Sequence, residues 1–168
     1  MTLQSLPAVA PLTPPRFQST LSAAQANNIY ALGTWHAVPF DVAPVVTNMP
    51  AGAPTIWTSG ANASRLVLPA PGVWLVIGHA YITSSGATAT LKMLKLNKNA
   101  AGVDTTGILA QTLVYGTGAT DFIGEITSIV QANGTTDYVE LFGYSAITTW
   151  GFGAGGSTSL QAILLGSI

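Results

Sequence analysis

Residues Val73-Trp74-Leu75-Val76-Ile77, bounded by Pro69-Ala70-Pro71-Gly72 and Gly78, carry no polar side chain on either face of an extended strand. Successive strand side chains point to opposite sides, so a half-buried antiparallel strand should show one polar face. This run shows none and must be covered twice. Ile163-Leu164-Leu165 repeats the pattern, and Tyr138 to Tyr144 sets Val139 and Leu141 against an aromatic face of Tyr138, Glu140, Phe142 and Tyr144. None of these runs approaches the about 20 apolar residues of a membrane-spanning helix. The cover expected for the second face is a neighbouring copy of the chain.

Composition points the same way. Five Lys and Arg and six Asp and Glu serve 168 residues that are 48% hydrophobic. A compact monomer of this size would expose roughly 7,800 Å², leaving about one charge per 700 Å². Soluble surfaces usually draw about a quarter to a third of their residues from charged types. Much of this surface is therefore expected to be hidden in an assembly.

The net charge of −1 and the absence of a basic stripe exclude nucleic acid as an expected partner. Lys92, Lys95 and Lys98 would alternate faces along a strand. Without cysteine there is no disulfide framework, thiolate metal site or cysteine nucleophile. The N-terminus, MTLQSLPAVAPLTPP, lacks a basic region and is broken by prolines, so it reads poorly as a secretory signal. Asn62-Ala63-Ser64 and Asn133-Gly134-Thr135 match glycosylation sequons, which matter only in a secreted protein.

Two regions follow from the pattern. Residues 1–26, with prolines at 7, 11, 14 and 15, predict an extended arm able to reach roughly 80 Å when stretched. Residues 27–168 predict one all-β domain. Its strands fall near 34–40, 55–58, 64–68, 73–83, 88–97, 107–115, 122–132, 137–146 and 158–166, separated by Gly, Pro and Asn turns. Ser22 to Asn28 allows one helical turn at most. Regular short strands of this kind predict an antiparallel sandwich or barrel.

The order of motifs adds a resemblance. Trp35-His36-Ala37-Val38-Pro39-Phe40-Asp41 comes first, then Arg65 to Val76 with its Pro71-Gly72-Val73-Trp74 turn. Asp137-Tyr138-Val139-Glu140-Leu141 follows, and the chain closes on Ser159 to Gly166. This series resembles the complement-head and tumour-necrosis-factor-like jelly-roll family over about residues 34–168. Thr136 stands where that family usually has glycine, and Trp74 where it usually has tyrosine. The resemblance implies an antiparallel jelly-roll β-sandwich that forms a tight homotrimer, with Trp74, Val76, Tyr138, Phe142, Tyr144 and Leu165 as candidate interface residues. It also brings in a possible calcium position near a threefold axis, with Asp121 and Asp137 as donors; the reading adopted has no metal and no cofactor.

Catalytic chemistry finds little to build on. His36 and His79 lie in strand contexts that suit packing, and neither G-x-S-x-G nor H-E-x-x-H occurs. Asp121 and Glu125 would share a strand face but lie about 13 Å apart, too far for a retaining carboxylate pair. The glycine-rich 151–156 segment has no basic partner or following helix, so it is no phosphate cradle.

The function expected is therefore that of a non-enzymatic virion protein on the capsid exterior of a bacteriophage, made in the host cytoplasm. It would be a trimeric decoration or cement protein whose partners are itself and the major capsid protein or another virion protein, with neither nucleic acid nor membrane. Pro7, Pro11, Pro14, Pro15, Arg16 and Phe17 are the candidate anchoring residues. The alternative is a glycan- or receptor-binding fibre tip using Trp57, Trp150 and Phe152 on exposed loops.

Overall fold

The computed structural model describes residues 13–24, 29–49, 51–60, 62–84, 90–100, 107–116, 122–146, 149–154 and 157–167. In chain order its strands are β1 (Arg16–Thr20), β2 (Trp35–Ala37), β3 (Val45–Thr47), β4 (Leu66–Val67), β5 (Pro71–Ser84), β6 (Thr90–Lys98), β7 (Ile108–Gly116), β8 (Phe122–Asn133), β9 (Tyr138–Ser145), β10 (Trp150–Phe152) and β11 (Ser159–Gly166).

They form two antiparallel sheets. In the first, β5 pairs with β8 on one side and with β11 and β10 on the other, and the order continues through β1 to β3. In the second, β9 is flanked by β2 and β4 on one side and by β6 on the other, with β7 outermost. The sheets pack face to face around a single core. Trp74, Val76, Ala80 and Ile82 of β5, Leu160 and Ala162 of β11, and Ile126 and Val130 of β8 meet Leu94 and Leu96 of β6 and Val139 and Leu141 of β9. This is an all-β two-sheet sandwich of the jelly-roll kind.

The long strands lie close to where the sequence placed them. Residues 55–58, expected as a strand, are instead a loop, and β1, β3 and β10 were not expected at all. β1 corrects the boundary of the arm. Its alternation of exposed Arg16 and Gln18 with buried Phe17 and Ser19 is that of an ordinary sheet strand. It pairs with β11 through Arg16↔Ile163 to Thr20↔Ser159, and with β3 through Phe17↔Val46. Phe17 is buried with its ring 6.0 Å from that of Trp74. Arg16 and Phe17 thus belong to the sandwich. Pro14 is exposed and Pro15 half-buried, its carbonyl accepting from the Leu164 amide, while Pro7 and Pro11 lie outside the described residues.

Two glycines are dictated by the geometry. Gly134 turns the β8–β9 hairpin at a φ of 77°, where a Cβ would run into the backbone of Pro71. Asn133 completes that turn, its Oδ1 accepting the amides of Thr135, Thr136 and Asp137. Gly78 faces the core, where a Cβ would sit 2.7 Å from Leu141 Cδ1, so it lets the two sheets approach.

Candidate functional site

Strand pleating decides which side chains remain available to a partner. On β5 the even-numbered residues Trp74 and Val76 point into the sandwich and are fully buried within one chain. Trp74 also uses its indole N–H internally, donating to the Ala70 carbonyl at 3.0 Å. Neither can form a subunit interface, which corrects the expectation for both. The odd-numbered residues Val73, Leu75, Ile77, His79 and Tyr81 point outward and are half-buried. Because both faces of the run are apolar, hydropathy alone could not say which one faces in.

The outward residues fall into rows across the sheet. Leu75 lies between Ile129 of β8 and Ile163 of β11, and Ile163 is followed by Arg16 and then Thr47. One pleat along, Ile77 lies between Thr127 and Gln161, followed by Gln18 and Val45. His79 lies between Glu125 and Ser159, and Tyr81 is opposite Ile123. Ile123, Ile129 and Val45 are 61%, 63% and 73% exposed, unusual values for large aliphatic side chains. Leu165, a predicted interface residue, is exposed just where a register shift between Leu164 and Gly166 breaks the β11 ladder. The described titratable groups in these rows are Arg16, His79, Tyr81 and Glu125. Of these, His79 directs Nδ1–H to the Ser157 carbonyl at 3.0 Å.

The outer face of the second sheet is different. Tyr138, Glu140, Phe142 and Tyr144 share it, as alternation predicted, but the chain largely covers them itself. Lys95 Nζ lies 4.5 Å from the Trp35 ring centroid and 5.1 Å from that of Phe142, and both Lys95 and Phe142 are buried. Phe142 is therefore unavailable to a partner. Tyr144 packs on Trp35, with ring centroids 5.1 Å apart. Tyr138 lies under the Arg65 guanidinium and donates its hydroxyl to the Ala100 carbonyl at 2.6 Å. Burial pushes the Glu140 carboxyl above its ordinary value, although the Ser64 hydroxyl and Arg65 oppose this from 2.6 and 3.7 Å.

The aromatic platform expected for a fibre tip does not form. Trp150 and Phe152 make up β10, which pairs with β5 and is buried. They interlock edge-on with each other, and Tyr30 meets Phe152 edge-on and Trp150 at a tilt while stacking on His36 at 4.1 Å. Burial lowers the pKa of His36, whose Nε2 lies 2.9 Å from Thr34 Oγ1. Trp57 is half-buried, its indole N–H donating to the Ala63 carbonyl at 2.8 Å.

Asp137, one of the two calcium candidates, has its oxygens engaged by Asn99 Nδ2 at 2.7 Å, the Asn133 amide at 2.9 Å and Lys98 Nζ at 2.9 Å. Asp121 lies outside the described residues. Among the described residues no group of three His, Cys, Asp or Glu is placed to hold a metal.

No protein-family model and no curated protein matches the chain. Solved structures do resemble it in fold. The globular domain of zebrafish complement 1qA superposes with a TM-score of 0.58 at 11% identity, covering 92% of this chain and 99% of that one. Murine APRIL gives 0.57 at 8% identity, with 90% and 99% covered. Eiger TNF from S. frugiperda gives 0.52 at 10% identity, with 93% and 94% covered. The chain has the complement-head and tumour-necrosis-factor-like jelly-roll fold.

Proposed function

We propose that this chain is a non-enzymatic assembly protein that forms a homotrimer through the outer face of the six-stranded sheet. The observation that carries this reading is the row Ile129–Leu75–Ile163 with Ile77 one pleat along, apolar side chains left open by the chain's own fold. Contiguous exposed apolar surface of this kind marks interaction sites. At about 3.3 Å per residue and 4.8 Å between strands, β8, β5, β11, β1 and β3 together present roughly 700 Å² of face, close to the about 800 Å² each partner contributes to a stable interface. The shared fold with the complement-head and tumour-necrosis-factor-like structures supports a threefold arrangement.

The finer reading is a trimeric decoration or cement protein on the exterior of a phage capsid. It rests on the scarcity of charge and on the proline-rich residues that precede β1, which would contact the coat protein. With Arg16 and Phe17 assigned to the sheet, that contact falls to residues 1–15.

The experiment is a mass measurement by light scattering on the wild type and on Leu75→Asp with Ile129→Asp. The expected result is a mass about three times 17.2 kDa for the wild type and a single-chain mass for the variant. A monodisperse wild type of 17.2 kDa would overturn the trimer. For the capsid reading, the wild-type trimer should co-sediment with particles, and a trimer that stays in solution refutes it.

A further inference from the structure

The outer face of the six-stranded sheet holds the charged side chains that the chain's own contacts leave over. Among the described basic residues, Arg65 pairs with Glu140 and Lys98 with Asp137, while Lys92 and Lys95 are buried and engaged within the chain. Arg16, exposed on β1, has no such partner among the described residues. Among the described acids, Asp41 is held by Ser22, Asp137 by Asn99 and Lys98, and Glu140 by Ser64 and Arg65. Glu125, exposed on β8, is left over in the same way. Its cross-strand neighbour His79 gives Nδ1–H to the Ser157 carbonyl instead. In a chain with so few charges, one cation and one anion remain, and both stand on one sheet face.

These two cannot meet within one chain. Arg16 ends the row Ile129–Leu75–Ile163–Arg16, three strands away from β8, and Glu125 lies four residues along β8 from Ile129. At about 4.8 Å per strand and 3.3 Å per residue they are about 20 Å apart, more than the two side chains can span. The face is hollowed at Arg16 by a groove of about 260 Å³, walled by Arg16, Gln18, Gln161 and Thr47 among others, with no acid in its lining. A guanidinium and two carboxamides supply N–H donors there, the set from which a carboxylate accepts.

We propose that the Glu125 carboxylate of one copy enters the Arg16 groove of the next copy around the threefold ring. This rests on the trimer reading above and adds the contact that orders it. A closed ring of identical chains joins two different patches head to tail. Arg16 on β1 and Glu125 on β8 occupy opposite flanks of the face, with Leu75, Ile77 and Ile163 between them. Each flank can therefore meet a different neighbour while the apolar middle turns toward the axis. A charge buried without a partner is strongly destabilising, so covering this face requires both groups to be answered. Pairing them across each junction answers both, and like charges would oppose the reversed fit. The apolar row supplies affinity, and the ion pair decides which flank meets which.

The test measures mass against concentration for the full-length wild type, Arg16→Glu, Glu125→Arg and the variant carrying both changes. Both side chains are exposed, so circular dichroism should show one fold in all four. Each single reversal should raise the trimer dissociation constant at least about tenfold, and the double variant should return to within about threefold of wild type. An equal mixture of the two single variants should stay weaker than wild type, because an odd ring of two chain types keeps at least one like-charged junction. Full recovery of that mixture as a two-chain species overturns the threefold pairing. A wild-type trimer in which either single reversal changes nothing, or in which the double variant stays as weak as the singles, overturns the pairing and leaves the trimer standing. A wild type of single-chain mass overturns the trimer reading, and the pairing falls with it.

Discussion

Replacing Phe17 with alanine tests whether β1 is part of the folded unit or the end of a free arm. Phe17 is 2% exposed, its ring lies 6.0 Å from that of Trp74, and its backbone is in register with Ala162 on one side and Val46 on the other. Hydrogen bonds on both edges hold the strand in place, so the space left by the ring cannot close by a shift of β1. Buried Phe→Ala substitutions cost about 3–5 kcal/mol, combining the lost transfer energy with the cavity. For a chain of 150–250 residues each kcal/mol corresponds to about 2–4 °C, so the midpoint of thermal unfolding should fall by roughly 6–20 °C. Urea unfolding followed by tryptophan fluorescence should show a lower midpoint with an unchanged slope. Both proteins must be compared at one concentration, because the proposed self-association would add concentration-dependent stability. A loss within about 0.5 kcal/mol, the range of ordinary surface substitutions, would refute the assignment of Phe17 to the core.

The remaining predictions concern the hairpin and two buried acids. Gly134→Ala should destabilise by at least about 1–2 kcal/mol, the penalty of a side chain in the left-handed region, and calorimetry showing an unchanged Tm would contradict it. Burial tends to raise the pKa of Asp137, but hydrogen bonds from Asn99, Lys98 and the Asn133 amide, with the Lys98 charge, hold it below the ordinary value. Its contribution to stability is therefore present above the ordinary carboxylate range and lost as pH falls through the depressed value. Asp137→Asn should be less stable than wild type at neutral pH and converge with it in acid; a gap independent of pH in denaturant titrations would refute this. Glu140 has the opposite sign. Burial raises its pKa, so its contribution is complete below the ordinary value and lost as pH rises through the raised one. The stability of Glu140→Gln relative to wild type should rise across that window, and a flat difference would refute it.

Much of the sandwich was legible because long strands with an apolar core face carry their own periodicity. β5, β6, β8, β9 and β11 lie within a few residues of their predicted ranges. The short strands were not legible. β1 is only five residues long and follows two prolines, and the signal that could have found it is the alternation of Phe17 and Ser19 with Arg16, Gln18 and Thr20. β10 was lost in a glycine-rich stretch whose aromatic residues suggested an exposed platform, whereas pairing with β5 turns them inward. The surface proposed for self-association was legible as a strand but not as a face. Trp74 and Leu75 are both large apolar residues, and only the position of the second sheet decides that Trp74 is core and Leu75 surface. The other aromatic face misled for a related reason: Lys95 covers Phe142 from a strand distant in sequence.

The buried lysines of β6 have a consequence for proteolysis. A trypsin-like enzyme cleaves after Lys and Arg, and this chain offers it five such residues. Lys92, Lys95 and Lys98 lie in β6, hydrogen-bonded between β7 and β9, and Arg16 lies in β1 between β3 and β11. Cleavage at these four sites requires the sheets to come apart, so its rate follows the opening equilibrium of the fold. Arg65, just ahead of the two-residue β4, is left as the first site to be cut. At every site but Arg65 the folded chain should resist trypsin, and the time at which β6 is cut is a clock for unfolding.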